Sequence, residues 1–374
     1  MSSHKVLLIN DHPHTFGIGR YISQIYSMFR QLRPENYSFE LLMQNMGKKY
    51  SANTPNTQVQ RRPRWASQRA FDRQYDLMAY FYFPRKIPDG YSLYHLSSQM
   101  MARSVVYQSP AVVTCHDLIS FKVKSNHSRL SQYIRKKQIM TLNRAAAIIF
   151  ISQHTRNDFH ALFDSWDGIE AVIPQAASEL YQPRDKIACR EELGLPATRP
   201  IVLHVGSESD RKNIPVLFRA VLLAKKQVPD ILLIRIGHQR TTSRRLVEKL
   251  GLEKNILYVR KLPEEDLAKY YNAADVFVFP SYYEGFGLPA VEAMKSGCPL
   301  VAGDATSIPE IVGDAAILHH PMDVESFTQS ILMILNSKSL QEKYSQAGIE
   351  QAGQFNWQNT ALQTLDLYRR ILEK

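Results

Sequence analysis

Short apolar runs return at intervals along the chain, and the stretches between them carry apolar residues at every third or fourth position. Residues 5–9 read as a buried strand, and 19–32 as a helix whose Ile22, Ile25, Met28, Phe29 and Leu32 share one face. Further strands are expected at 38–43, 92–96, 111–114, 146–151 and 169–173. The segment 174–184 carries Pro174 and Pro183 and breaks the rhythm, which suits a hinge. After it the alternation restarts, with strands at 201–205, 231–236, 256–259 and 276–279 and helices at 214–226, 242–250 and 264–272. Strands that alternate with helices build parallel sheets covered on both faces, so the pattern predicts an α/β protein with two doubly wound sheets. At 374 residues the chain is also longer than one ordinary core.

In such sheets ligands lie beyond the carboxyl ends of the strands, so the residues after each strand are the candidates for chemistry. The most informative run is Glu284-Gly285-Phe286-Gly287-Leu288-Pro289-Ala290-Val291-Glu292. It places two carboxylates on either side of a glycine turn where the strand 276–279 gives way to a helix. Pro289 fits the first helical position, and Gly297 then ends the helix before Pro299 and another apolar run. Unpaired N–H groups around Leu288 and the positive end of the helix dipole would favour phosphate oxygens. Glu284 and Glu292 could accept hydrogen bonds from hydroxyls on either side of that phosphate.

Arg211 and Lys212 follow the strand 201–205 and Gly206, and precede Asn213, an expected helix N-cap. Two cations there can neutralise a departing phosphate. His116, at the end of the strand 111–114 and next to Asp117, could touch a hydroxyl or carry a proton near neutral pH. Gly17 follows the first strand and would let backbone approach a phosphate. Gly17-x-Gly19 could also open a dinucleotide fingerprint, but Ile22 stands where the third glycine belongs, which argues against a dehydrogenase. His12 and His14 flank Pro13 near Asp11 and are expected to serve the loop and not a metal.

Composition narrows the classes. A hydrophobic content of 44% with 22% charged residues is globular. Without a long apolar run or a secretory signal pattern, the expectation is a cytoplasmic protein. Cys115, Cys189 and Cys298 lack metal-type spacing and are expected to be reduced packing residues. The net charge of +11 is uneven: residues 1–180 hold 22 basic against 12 acidic side chains, and the remainder is nearly balanced. The densest part is Arg61-Arg62-Pro63-Arg64-Trp65 with Arg69 and Arg73, followed by Tyr80-Phe81-Tyr82-Phe83. It suits an anionic membrane surface or a solvated face. No nucleic-acid-binding signature accompanies it, so no nucleic-acid partner is expected.

These motifs together resemble the retaining family 4 of nucleotide-sugar-dependent glycosyltransferases, over most of the chain. The strongest likeness is the Glu-x7-Glu pair of Glu284 and Glu292. Supporting it are Gly17-Ile18-Gly19-Arg20-Tyr21, His116-Asp117-Leu118, Val205-Gly206 with Arg211-Lys212-Asn213, Ile308-Pro309-Glu310, and Phe355-Asn356-Trp357. The resemblance implies the GT-B fold: two facing Rossmann-like domains, a central cleft, and a last helix that crosses back to the first domain. The divisions expected are 1–178 on the acceptor side, 179–355 for the nucleotide sugar, and 356–374 for the returning helix.

It further implies transfer of a hexose from a nucleoside diphosphate sugar to a hydroxyl of a glycan or lipid-linked acceptor in cell-surface polysaccharide synthesis. No cofactor and no metal are implied, and the chain lacks an Asp-x-Asp triplet. By likeness to bacterial polysaccharide mannosyltransferases the donor expected is GDP-mannose; UDP-linked glucose or N-acetylglucosamine is the alternative. The implied catalytic residues are His116, Arg211, Lys212 and Glu284. Gly17, Gly206, Gly285, Phe286, Gly287, Leu288 and Glu292 would bind the donor. Three positions depart from the family: Phe16-Gly17 replaces a glycine pair, Arg260 stands where glycine is common, and Gln175-Ala176-Ala177 replaces a more usual Gly-Val-Asp. Two rivals share the fold, a nucleotide-sugar epimerase and a catalytically silent binding subunit.

Overall fold

The computed structural model of the protein describes residues 4–10, 17–46, 57–61, 80–123, 129–163, 166–260 and 262–373. His12 and His14, and the basic run from Arg62 to Arg73, lie outside them. The chain divides into two compact units, residues 1–175 with 357–374, and residues 176–356.

The first unit is built on the strands β1 (His4–Asn10), β2 (Tyr37–Met46), β3 (Thr57–Arg61), β4 (Leu93–Leu96), β5 (Ala111–Cys115), β6 (Ala147–Phe150) and β7 (Ile169–Val172). They lie in the order β3-β2-β1-β4-β5-β6-β7, and every pair is parallel. Leu7, Ile9, Leu96, Val113, Ile148 and Phe150 join one continuous core, because strands covered on both faces carry apolar side chains at nearly every position. The helix Gly17–Leu32 buries Tyr21, Ile22, Ile25 and Phe29.

The last helix, Trp357–Leu372, belongs to this unit. Its buried Trp357, Thr360, Ala361, Thr364, Leu367 and Tyr368 recur at three- and four-residue spacing and form one face. Tyr368 meets the edge of Phe29 at 5.8 Å between ring centroids, and Trp357 lies 6.0 Å from Tyr21.

In the second unit β8 (Ile201–Val205), β9 (Leu232–Ile236), β10 (Ile256–Val259), β11 (Val276–Phe279), β12 (Leu300–Gly303) and β13 (Ala316–His319) are again all parallel, in the order β10-β9-β8-β11-β12-β13. Both sheets therefore reverse strand order beside their first strand, between β1 and β4 and between β8 and β11. The carboxyl ends there diverge into a crevice, the switch point where ligands bind.

Three strands were not read from the sequence. β13, Ala-Ile-Leu-His, is four residues long and half-buried. β12 follows Pro299 and was seen only as an apolar run. β3, Thr-Gln-Val-Gln-Arg, has one apolar residue and is a sheet edge. No helix or strand lies between Val172 and Lys186. Among the described residues no helix is long and apolar enough to cross a membrane.

Two local expectations are corrected. Asn213 does stand at the cap position of the helix Ile214–Ala224, but in the left-handed conformation (φ 54°), and its side chain does not cap. Its amide instead donates to the carbonyls of Pro280 at 3.2 Å and Pro321 at 2.6 Å, so it ties the loops after β8, β11 and β13 together. Pro289 is the second residue of the helix Leu288–Lys295, since Leu288 already has helical geometry and Gly287 is the cap.

Candidate active site

The loops after β8 and β11 meet across the switch point of the second unit. Arg211 and Lys212 sit in a short 3-10 turn, Asp210–Lys212, just beyond β8, and Glu284 lies in the loop beyond β11. Both cations close on that carboxylate: Lys212 Nζ is 2.7 Å from Oε1, and Arg211 Nη1 is 2.5 Å from Oε2. Arg211 also donates to the Tyr283 carbonyl at 3.0 Å, and the Lys212 ammonium lies 4.7 Å from the centre of the Phe279 ring.

Lys212 and Glu284 are 5% and 6% exposed, so their charges interact at low dielectric. Burial pushes the Lys212 ammonium below its usual range, and Glu284 pulls it part of the way back. For Glu284, burial works upward but is outweighed by Lys212 and then Arg211, so its carboxyl is held below the usual carboxylate range. The clasp carries two positive charges and one negative, which leaves it attractive to an anion.

The supporting geometry explains the glycines. Gly206 has φ +144°, and a Cβ built there would come 3.4 Å from Lys212 Cε; its openness lets the lysine lie along the strand end. Gly287 has φ +99°, and a Cβ would stand 2.6 Å from Ile308 Cδ1, so only glycine makes this turn without displacement. The backbone of Glu284 is pinned on both sides: its N–H donates to Thr306 Oγ1 at 2.9 Å, and its carbonyl accepts from Ser307 Oγ at 3.0 Å. Phe286 is a packing residue, buried edge-on to Phe355 at 5.6 Å. Gly285 and Leu288 flank the turn, and Leu288 opens the helix. Glu292, one turn into that helix, is 5% exposed and accepts from the fully buried Tyr271 hydroxyl at 2.9 Å.

Several neighbours of this site escaped the sequence reading. Arg235 interrupts the apolar strand β9 and is fully buried. Its guanidinium donates to the Gly206 carbonyl at 2.7 Å and to that of Ile236, which ties together the loops after β8 and β9. A charge inside an apolar strand was the available signal. His204, opposite Arg235 in register, is also fully buried, and both ring nitrogens lack hydrogen-bond partners among the described residues. Burial, then Arg235 and Lys212, hold its pKa well below the usual value, so it is a neutral imidazole. Glu208 accepts from the Arg240 N–H at 2.6 Å and from the Tyr258 hydroxyl at 3.3 Å. Arg260 is exposed at the end of β10.

The first unit holds the other two candidates. Gly17 begins the helix after β1. His116 lies just beyond β5, 6% exposed, and reaches the loop after β4 twice: its N–H donates to Gln99 Oε1 at 3.1 Å, and its Nε2 lies 2.8 Å from the Ser97 carbonyl. A carbonyl only accepts, so Nε2 carries the proton. Tyr21 sets the ring plane with an edge contact at 5.1 Å. Behind it a buried chain runs from the last helix inward: Tyr368 to His95 Nδ1 at 2.5 Å, His95 Nε2 to Thr114 at 2.7 Å, and Thr114 to Tyr21 at 3.2 Å. Burial, helped by nearby His116, takes His95 down to about 3, so it stays neutral.

The three cysteines are free and buried, as expected of packing residues. Residues 17–174 match the family model Glycosyltransferase Family 4, and residues 185–351 match Glycosyl transferases group 1. The chain is 33% identical to the O-antigen chain mannosyltransferase B of Escherichia coli over 304 residues, 76% of this chain and 80% of that protein. It is 29% identical to a D-inositol 3-phosphate glycosyltransferase of Corynebacterium aurimucosum, over 74% of this chain and 70% of that one. Among solved structures, sucrose-phosphate synthase from Thermosynechococcus elongatus superposes with a TM-score of 0.80 at 23% identity, over 99% of both chains. The fold is GT-B, and the chain belongs to the group 1, family 4 glycosyltransferases.

Proposed function

We propose that this glycosyltransferase moves mannose from GDP-mannose to a hydroxyl of a glycan or lipid-linked acceptor in cell-surface polysaccharide synthesis, with retention at the anomeric carbon. The observation that carries the reading is the clasp of Lys212 and Arg211 on Glu284, two cations held by one carboxylate across the switch point. A donor diphosphate brings negative charge that competes with Glu284 for these cations. As they turn to the phosphates, Glu284 is released toward hydroxyls of the sugar. Glu292, one turn along the helix, is placed to accept from the ribose diol.

The bond from the anomeric carbon to the diphosphate then breaks while the bond to the acceptor oxygen forms on the same face. The acceptor proton passes to the departing phosphate, so no protein nucleophile is required. Arg211, Lys212 and the N–H groups opening the helix Leu288–Lys295 stabilise the charge that grows on the leaving group. In this reading no metal or other cofactor takes part, and His116, with its proton fixed on Nε2, contacts the sugar. Mannose is favoured by the likeness to a mannosyltransferase.

The proposal places the protein in the cytoplasm, at the inner face of the membrane through its basic first half. The likeness to a D-inositol 3-phosphate glycosyltransferase favours one second reading, a phosphorylated acceptor. Neither an epimerase nor a silent subunit accounts as simply for paired cations facing a carboxylate.

The test is a transfer assay with GDP-mannose, UDP-glucose and UDP-N-acetylglucosamine, with and without excess EDTA. GDP release that depends on acceptor and survives EDTA is expected. Arg211→Ala and Lys212→Ala should each lower kcat by about 10² to 10³, the scale of one oxyanion donor. Wild-type kcat in both variants would sink the leaving-group role, and turnover only with a UDP sugar would sink the mannose assignment.

A further inference from the structure

The helix Arg129–Ile139 of the first unit turns one face inward and leaves the other to solvent. Ile134, Gln138 and Ile139 are buried, and the helix packs on the segment Gln99–Val106. On the outer side Leu130 and Tyr133 are 58% and 59% exposed, and Met140 is 41% exposed. Met140 continues the helical turn, since its N–H donates to the Lys136 carbonyl at 3.0 Å. At roughly 100° per residue these three fall within about a quarter of the circumference, so they form one apolar stripe in water.

Cations border the stripe. Arg129, Lys136 and Lys137 are exposed on the same side of the helix and form no ion pair among the described residues. The Lys137 ammonium stands 5.7 Å from the centre of the Tyr133 ring. From Leu118 to Asn157 the sequence holds eight lysines and arginines and no aspartate or glutamate. Helix stability does not account for this charge. Lys136 and Lys137 sit in the last turn, where the dipole favours cations, but Arg129 opens the helix at its positive end, where a cation is opposed.

We propose that this face is a membrane-docking surface, which lies on a bilayer rich in anionic lipid headgroups. It supplies the peripheral location that the proposed function gives this protein, and it rests on that reading. Leu130, Tyr133 and Met140 enter the boundary between headgroups and acyl chains, while Arg129, Lys136 and Lys137 keep their charged ends at the lipid phosphates and lay their stems along the stripe. Composition selects lipid over a protein partner: protein interfaces are depleted of lysine, whereas helices that lie on membranes are rich in it.

The test is co-sedimentation of the whole chain with phosphatidylcholine vesicles, with and without phosphatidylglycerol, at fixed ionic strength. Binding that needs the anionic lipid is expected. Each basic side chain near such a surface is worth about fivefold in affinity, so Lys136→Glu with Lys137→Glu should weaken binding about 25-fold or more. Leu130→Ser with Tyr133→Ser should weaken it about tenfold or more, through the apolar area that no longer leaves water. Tyr133→Trp should add an emission that shifts to the blue when anionic vesicles are present. The substituted side chains are all exposed, so these variants should melt with the parent.

Equal binding to neutral vesicles, unchanged affinity in either double variant, or no blue shift in Tyr133→Trp would each overturn the surface. Loss of binding on charge reversal at Arg61, Arg62 and Arg64, with both double variants binding as the parent does, would move the contact to that segment and leave the peripheral location standing. A parent that sediments as an oligomer, and Leu130→Ser with Tyr133→Ser as a monomer, would make the stripe a contact between copies and refute the lipid assignment. If the parent binds no vesicle, the surface and the peripheral location fall together, while the transfer assay still decides the glycosyltransferase reading.

Discussion

Replacing Glu284 with glutamine isolates the energetics of the clasp, because the shape is kept and only the charge goes. Lys212 would then be a buried cation with no counter-charge, beside an Arg211 whose side chain is 27% exposed and partly screened by water. Removing one partner of a buried pair costs about 3–5 kcal/mol. A ceiling follows from titration. From the usual 10.5, neutralising Lys212 at pH 7 costs roughly 1.36 kcal/mol for each of 3.5 pH units, about 5 kcal/mol, and the lysine loses its proton before paying more.

The loss at pH 7 should therefore lie between about 3 and 5 kcal/mol. It should also depend on pH with a definite sign. With the folded pKa of Lys212 below its unfolded value, the unfolded chain binds more protons, so the stability of the variant rises with pH. At pH 9 the ceiling falls to about 2 kcal/mol. Glu284 contributes with the same sign in the parent but in a lower window: its depressed carboxyl gives stability that is present above about 4.5 and lost as pH falls through the folded pKa. The difference between parent and variant is thus largest near neutrality.

Urea unfolding followed by circular dichroism measures it. All three tryptophans, Trp65, Trp166 and Trp357, fall in the first unit, so their fluorescence reports that unit's transition separately. The double variant Glu284→Gln, Lys212→Met, which leaves no buried charge, should recover most of the loss. A cost below about 1 kcal/mol for Glu284→Gln at pH 7, or one that does not shrink by pH 9, would refute a buried, charged clasp.

Glu292→Ala should chiefly raise the donor KM with kcat little changed, since ribose contacts alter little on the way to the transition state; an unchanged KM would remove the ribose assignment. Gly287→Ala should cost about 1–3 kcal/mol and weaken donor binding, through its φ of +99° and the contact with Ile308. Gly194→Ala is the control, since at φ +63° nothing lies within 4 Å of the added carbon; equal costs in thermal melts would show that the contact is irrelevant. The protein should bind anionic vesicles in sedimentation assays, and less so as salt shortens electrostatic reach to about 8 Å. If reversing the charges of Arg61, Arg62 and Arg64 leaves this binding unchanged, the basic segment is only a solvated surface.

The sequence by itself determined the fold class and much of the site. Buried parallel strands must be apolar at nearly every position, so β8 and β11 could be read to the residue, and the residues after them could be singled out as candidates; the edge strand β10 was legible because Ile-Leu-Tyr-Val is apolar throughout. Glycines at Gly206 and Gly287 were legible because their backbone angles exclude other residues. Weakly apolar edges were not legible, as β3 shows: an edge strand gains as much from its neighbour's backbone as from its own side chains. Only the tertiary structure decided who meets whom. Arg211 and Lys212 stand more than seventy positions from Glu284, and nothing local in the sequence says that the two cations rest on that carboxylate. The same holds for Tyr271 on Glu292, for Arg235 beneath Gly206, and for Tyr368 at the end of the buried chain behind His116. The clasp is set where strand order reverses and remote loops are brought together, and the helix contacts by where each helix lies on its sheet; both are properties of the sheet and not of any segment within it.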